Sequence, residues 1–280
     1  MLSYLHAFHA GNFADVHKHA ALVLVIRMMQ AKSSGIACFD THAGSARYDL
    51  TGERALKTGE AASGIHRVWP YRGQLAGHDW QAVLDELAKE KGRCDQLTSY
   101  PGSPHWFCRY LRKQDALIAF ELHPAEGETL AQWSTSQPRA KVIQEDGLAG
   151  LLRQLPPAQP RLLVLIDPSY EVKSDYEAVA HTLARAWQKC RHGVYLIWYP
   201  ILQGRPDEKL KAAVRAGPVR KVLCNEILLK QAPERGMSGS GMLVVNPPWG
   251  FDGRLLDMMQ GVAGDDCLNV APSVGWLVDE

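Results

Sequence analysis

Asp167-Pro168-Ser169-Tyr170 stands directly after five consecutive apolar residues, Leu162 to Ile166, that read as a buried strand. A carboxylate delivered from such a strand is followed by a proline that turns the chain and leaves its carbonyl free. An aromatic ring comes three residues after the Asp. This arrangement suits the exocyclic amino group of a planar base. Asp167 and the Pro168 carbonyl can each accept one N–H while Tyr170 stacks on the ring. Adenine N6 needs such acceptors, because its lone pair is delocalised into the ring. Two acceptors localise that pair and stabilise the positive charge that develops as nitrogen attacks a methyl sulfonium. Asp167 can then take the proton. The same four residues also make an ordinary turn after a strand, so the rest of the chain has to decide.

Other segments supply polar groups at strand ends. Thr41-His42-Ala43-Gly44-Ser45-Ala46 follows a first apolar run and allows a tight turn, although G-x-G-x-x-G is absent. Glu121 ends a second strand, where doubly wound folds accept ribose hydroxyls. It lies 77 residues from Gly44, against a usual spacing of about twenty, and an inserted segment accounts for the excess. Glu145-Asp146-Gly147 follows a third strand. Asn246-Pro247-Pro248-Trp249 also fits an acceptor–Pro–Pro–aromatic pattern, but after the last strand, away from the crevice; it reads as a turn that packs an indole. At the N-terminus Tyr4, His6, His9, His17, Lys18 and His19 are dense in polar groups. His9, His17 and His19 make no convincing metal set, since odd positions do not share a helix face. Lys18 and His19 either line a pocket or form a solvated helix start. Gly236 to Gly241 lacks G-x-S-x-G and reads as a flexible loop.

The elements that must position these residues follow from periodicity. Apolar, β-branched-rich runs give seven strands at 36–40, 117–121, 141–143, 161–167, 193–199, 221–229 and 242–246. Helical segments alternate with them. A long helix capped by Asn12 or Asp15 runs to about Ala31, and another starts at a Ser174/Glu177 capping box. The pattern predicts an α/β fold with a mostly parallel sheet covered on both faces. Residues 49–100 interrupt the rhythm with turns and one amphipathic helix, Asp79 to Lys91, whose Trp80, Val83, Leu84 and Leu87 share a face. They read as a helical insertion, leaving 1–48 and 101–280 as the main domain. Hydrophobic residues at 46% and charged residues at 22% exclude a disordered or fibrous chain, and the net charge of +1 leaves nucleic acid open as a partner. Six scattered cysteines without C-x-x-C read as reduced thiols of a cytoplasmic protein. No signal peptide or membrane span is read.

Taken together, these segments resemble the RlmJ family, bacterial 23S ribosomal RNA adenine-N6 methyltransferases. The likeness is carried by Tyr4…His6…His9-Ala10-Gly11-Asn12…Asp15…Lys18-His19, Asp40-Thr41-His42-Ala43-Gly44 and Tyr100-Pro101-Gly102-Ser103-Pro104. It continues through Glu121-Leu122-His123-Pro124, Asp146-Gly147, Asp167-Pro168-x-Tyr170-Glu171, Trp198-Tyr199-Pro200 and Gly241-Met242 to Trp249. The resemblance implies a Rossmann-like seven-stranded methyltransferase fold with a small helical insertion and S-adenosylmethionine as cofactor, without a metal. It implies that His19, His42, Ser103, Glu121, Asp146 and Gly147 contact the cofactor, with Asp167 as catalytic acceptor. Tyr4 would meet the RNA, and His6 and Lys18 lie on that side. The implied partner is 23S RNA before full ribosome assembly, met by a monomer. Arg54, Lys57, Arg67, Arg72, Arg109, Arg112 and Lys113 are the basic groups available for phosphates. Ser169 and Ala46 stand where the family carries a proline and a glycine. Two other readings are a nucleic-acid-binding factor for use of external DNA and a DNA adenine-N6 methyltransferase.

Overall fold

The computed structural model describes residues 4–77 and 79–279. Its strands are β1 (Ile36–Asp40), β2 (Arg47–Asp49), β3 (Ser99–Pro101), β4 (Ala116–Phe120), β5 (Ala140–Ile143), β6 (Arg161–Ile166), β7 (Val194–Leu202), β8 (Val222–Leu229), β9 (Met237–Val245) and β10 (Val270–Val278). Eight of them form one sheet in the order β10-β8-β9-β7-β6-β1-β4-β5, and β2 pairs with β3 apart from it. β7, β6, β1, β4 and β5 run parallel; β9 is antiparallel to β7 and β8, and β10 to β8. This is a Rossmann-like α/β architecture.

Burial on both faces explains why the central strands are unbroken apolar runs. Leu163 and Leu165 of β6 join one core with the first helix, while Leu162, Val164 and Ile166 join the other with the helix Asp175–Lys189. The first helix, Phe13–Met29, starts at Asn12, whose side chain accepts the Asp15 N–H. Fifteen of its seventeen residues are buried, because it packs on β7 and β9 and against the helices Ser103–Tyr110 and Phe251–Gly261. A helix enclosed in this way must be apolar nearly all round. No helix among the described residues is long and apolar enough to cross a membrane.

Residues between β2 and β3 form the short helices Glu53–Thr58, Ile65–Val68, Arg72–Leu75 and Gln81–Leu87. Trp80, Val83, Leu84 and Leu87 are buried together, and Trp80 Nε1 donates to the Met258 carbonyl at 2.8 Å. The regular turns of this helix stop at Leu87 and tighten into a 3₁₀ turn over Ala88–Glu90, short of Lys91.

Four features depart from the sequence expectation. β2 and β3, two three-residue strands too short to show as apolar runs, pair antiparallel at the two ends of residues 49–100. The sheet has an eighth strand, β10, which lies on the edge, is largely exposed and contains Pro272 and Gly275. It lacks the buried apolar run that marks the central strands β1, β6 and β7. Gly236–Gly241 is not a flexible loop but mostly the start of β9. A Cβ at position 241 would lie 2.1 Å from Tyr199 Cζ, so glycine there makes room for the Tyr199 ring. Ser174 occupies the cap position with helical dihedrals and makes no side-chain cap bond, so the expected capping box does not form.

Leu165 is fully buried between β6 and the first helix. Leu165→Ala should lower the unfolding free energy by about 2–5 kcal/mol, read as a lower urea midpoint at unchanged slope. A loss below about 1 kcal/mol would contradict the packing described.

Candidate active site

The parallel strands all end at one edge. β1 leads into Thr41, β4 into Glu121, β5 toward Asp146 and β6 into Asp167. Ligands of open α/β sheets bind in the crevice beyond these carboxyl ends. A cavity of about 510 Å³ opens there, walled by residues from the strand ends, the first helix, the N-terminal segment and the start of the helix Ser103–Tyr110. His19, His42, Ser103, Glu121, Asp146, Gly147, Asp167 and Pro168 line it, as do Tyr4, His6 and Lys18.

One wall is built to hold carboxylates still. Glu121 accepts the Gly44 N–H on Oε2 at 2.8 Å and the His123 N–H on Oε1 at 2.7 Å. Burial pushes its pKa up despite those bonds. Asp146 caps the helix Gly147–Gln154 by accepting the Ala149 N–H at 2.8 Å. A Cβ on Gly147 would fall 1.9 Å from the Thr41 carbonyl oxygen, so only glycine lets this helix start approach the loop after β1. His42 Nδ1 lies 2.8 Å from Thr41 Oγ1, and burial lowers its pKa to about 4, leaving it neutral at ordinary pH. Burial foremost raises the pKa of Asp40 to about 7, against a hydrogen bond from Ser103, and its Oδ2 has no partner among the described residues. His19 is buried with Nδ1 3.0 Å from the Tyr100 hydroxyl; its Nε2 has no partner among the described residues, and burial lowers its pKa well below the ordinary value.

The opposite wall is a buried ionic chain. Lys18 Nζ donates to Asp167 Oδ2 at 2.6 Å and lies 2.9 Å from Asp15 Oδ1. Asp15 Oδ2 meets His6 Nε2 at 2.8 Å and accepts the Gly11 N–H at 2.9 Å, and Tyr4 OH lies 2.9 Å from His6 Nδ1. Burial alone would raise the pKa of Asp15, but His6 and Lys18 outweigh it and hold the group well below its ordinary value. For Asp167 the balance differs: burial raises its pKa, and Lys18 only partly opposes that. Burial likewise disfavours the Lys18 charge, yet Asp15 and Asp167 together raise its pKa. The N-terminal stretch is therefore not a solvated helix start: Asp15, His17, Lys18 and His19 are all buried. His17 faces away from the carboxylates, bonded to Ser240 Oγ at 3.0 Å and Asn225 Oδ1 at 2.7 Å, and His9 pairs with Glu60.

Tyr170 is the sequence-derived candidate that does not reach the cavity. It is 6% exposed, packs on Tyr176 with ring centroids 4.4 Å apart, and donates its hydroxyl to the Trp198 carbonyl at 2.8 Å. With φ at 53° it shapes the turn after Asp167, and its ring offers no face for a base. Trp198 lines the cavity instead, with Lys18 Nζ 5.6 Å from its ring centroid. The Lys18 bridge to Asp15 and Asp167 was hidden in the sequence except for one signal: an Asp and a Lys three apart at the start of a helix that continues as a long apolar run demand buried partners. Ser169 lines the cavity. Ala46 is fully buried at φ 64°, a left-handed conformation that explains why glycine suits this position.

Two further expectations change. Asn246-Pro247-Pro248-Trp249 follows β9 at the opposite edge of the sheet, beside the start of β7, with Asn246 Nδ2 donating to the Arg191 and Gly193 carbonyls at 2.8 Å. The Trp249 indole is 98% exposed rather than packed. Among the basic groups, Arg112 is consumed by Asp115 and the carbonyls of Lys32 and Ser34, and Arg109 pairs with Glu86. Both therefore serve the fold.

Residues 33–267 match the family model described as ribosomal RNA large subunit methyltransferase D, RlmJ. The ribosomal RNA large subunit methyltransferase J of Escherichia coli strain K12 is 39% identical over 260 residues, 92% of each chain. That of Haemophilus influenzae is 35% identical over the same length and coverage. A solved protein from Legionella pneumophila strain Philadelphia 1 superposes with a TM-score of 0.88 at 29% identity, covering 95% of this chain and 98% of its own. With the strand-end carboxylates in place and likeness running through nearly the whole length, the chain belongs to the RlmJ family of ribosomal RNA large subunit methyltransferases.

Proposed function

We propose that the protein methylates the exocyclic N6 of an adenine in 23S ribosomal RNA, acting as a monomer on RNA not yet assembled into the subunit. The names of the two bacterial relatives assign large-subunit ribosomal RNA methylation to those proteins. The choice of adenine N6 rests on one observation: Asp167, carried out of β6 with the Pro168 carbonyl beside it, faces the same cavity as the cofactor-type groups.

S-adenosylmethionine, the cofactor of this family, supplies when bound an electrophilic methyl group on a sulfonium. The residues present fit it. Glu121, with both oxygens oriented by backbone N–H groups, would hold ribose hydroxyls. The unpartnered Nε2 of His19, the close approach at Gly147, and His42, Ser103 and Asp146 would complete its contacts.

Asp167 and the Pro168 carbonyl accept the two N–H groups of the amine, which localises its lone pair. Asp167 must be ionised to do so. The Lys18 ammonium at 2.6 Å favours that form and leaves the second carboxylate oxygen for the base. As the amine becomes cationic, Asp167 takes its proton, and the burial that raises its pKa makes it the better base. Trp198 in the cavity wall supplies the ring surface that Tyr170 does not, and Tyr4 and His6 stand where RNA would enter. Residues 49–100, whose elements between β2 and β3 are short helices, act in this proposal as an inserted helical subdomain.

The deciding assay is labelled-methyl transfer to protein-free 23S RNA from a strain lacking this gene, followed by digestion to nucleosides. Label should appear in N6-methyladenosine. Label in another nucleoside, or in DNA and not RNA, would overturn the substrate assignment. Asp167→Asn should lower kcat by roughly 10²–10⁴-fold. Because Lys18 keeps Asp15 at 2.9 Å, that variant should remain folded. Unchanged turnover would exclude Asp167 as the base. Glu121→Ala should weaken S-adenosylmethionine binding by roughly tenfold or more in calorimetry, the worth of hydrogen bonds to a charged group. Unchanged affinity would remove Glu121 from the cofactor site.

A further inference from the structure

The edge of the sheet opposite the active site carries a groove of about 620 Å³. Arg27, Lys32, Arg161, His192, Trp249 and Arg254 line it, and no Asp or Glu does. In a chain of net charge +1 this is a local concentration of cations. Two of them are fixed in place. Arg161 donates to the carbonyls of Met29, Lys32 and Ser34, and Arg254 to Asp79. Arg27 and Lys32 are exposed and form no ion pair among the described residues.

Trp249 projects from this groove with 98% of its surface in water. The turn that presents it is held rather than loose: Asn246 donates to the Arg191 and Gly193 carbonyls, and the Phe251 N–H reaches the Pro248 carbonyl at 3.0 Å. An indole held fully in water gives up burial that a core position would supply, and a partner with a flat apolar face would recover it. An aromatic ring among cations is the arrangement that binds unpaired nucleic acid, in which bases stack and phosphates meet Lys and Arg. Met28, Met29, Ala31, Val194 and Pro248 add apolar lining beside the ring, but Arg27, Lys32, Arg161 and Arg254 with no carboxylate in the lining favour an anionic partner that also stacks, rather than an apolar protein or lipid face.

We propose that this groove is a second RNA-binding site, where an unpaired segment of the substrate RNA stacks a base on Trp249 and sets its phosphates against Arg27 and Lys32. The inference rests on the RNA substrate proposed above. β6, six residues and about 20 Å long, separates the groove from Asp167, so only an RNA large enough to pass around the sheet edge engages both.

The test compares two probes made from unmethylated 23S RNA: the full-length molecule and a fragment trimmed to the shortest length the wild-type protein methylates. Trp249→Ala should weaken binding of the full-length RNA on the order of tenfold, with methylation of the short fragment unchanged and Trp249→Phe restoring most of the affinity. Arg27→Glu with Lys32→Glu should flatten the dependence of log affinity on log salt by about 0.7 per lost phosphate contact. Full-length binding equal to wild type in both variants overturns the proposal, as does a loss that Trp249→Phe does not restore. If wild type methylates no RNA at all, the substrate reading fails, and the binding comparison still decides the groove.

Discussion

Lys18 places an ammonium group inside the protein, where a charge survives only if opposite charges surround it. Asp15 and Asp167 do so, and they come from distant parts of the chain, the first turn of the first helix and the end of β6, which the shared core with Leu163 and Leu165 also holds together. The helix must then lie along the sheet in one register. That in turn fixes His19 beside Tyr100, His17 against Ser240 and Asn225, and the N-terminal segment over the cavity through His6. The pair is unequal in a useful way. Asp15 has a histidine and a backbone N–H besides the lysine and is held well below the ordinary Asp pKa, whereas Asp167 hydrogen-bonds the lysine alone among the described residues and burial leaves its pKa raised.

Much of the fold could be read in the sequence because a buried parallel sheet leaves a plain signature. Seven of the eight sheet strands carry a short apolar stretch, and the polar residues that follow three of them, Glu121, Asp146 and Asp167, fall together because parallel strands end on one edge. β10 escaped because an exposed edge strand needs no such run. Tyr170 could not be placed from its spacing, since the left-handed φ that turns its ring into the core is a property of the turn and not of the residue type. The Ser174 side chain likewise lacks the bond its spacing suggests. Side-chain direction, more than element order, was the hidden quantity.

The two edges of the sheet divide the chemistry. The carboxyl edge gathers carboxylates and neutral histidines around a cavity, which suits a cationic sulfonium. The amino edge gathers cations and one exposed indole around an open groove. The Asn246 turn resembles the Asp167-Pro168-Ser169-Tyr170 segment in spelling, yet its position on an antiparallel strand sends it to the other side of the molecule. Strand direction, not residue content, separates the two.

The central claim is that the Lys18 ammonium sets the ionisation of a carboxylate whose burial works against it. A carbon-13 NMR titration of the Asp167 side-chain carboxyl measures this directly, in wild type and in Lys18→Met. Removing a neighbouring cation disfavours the carboxylate, so the Asp167 pKa, already above the ordinary Asp value, should move further upward in the variant. An Asp167 pKa at or below the ordinary value in wild type, or one that does not rise when the ammonium is removed, would contradict the account.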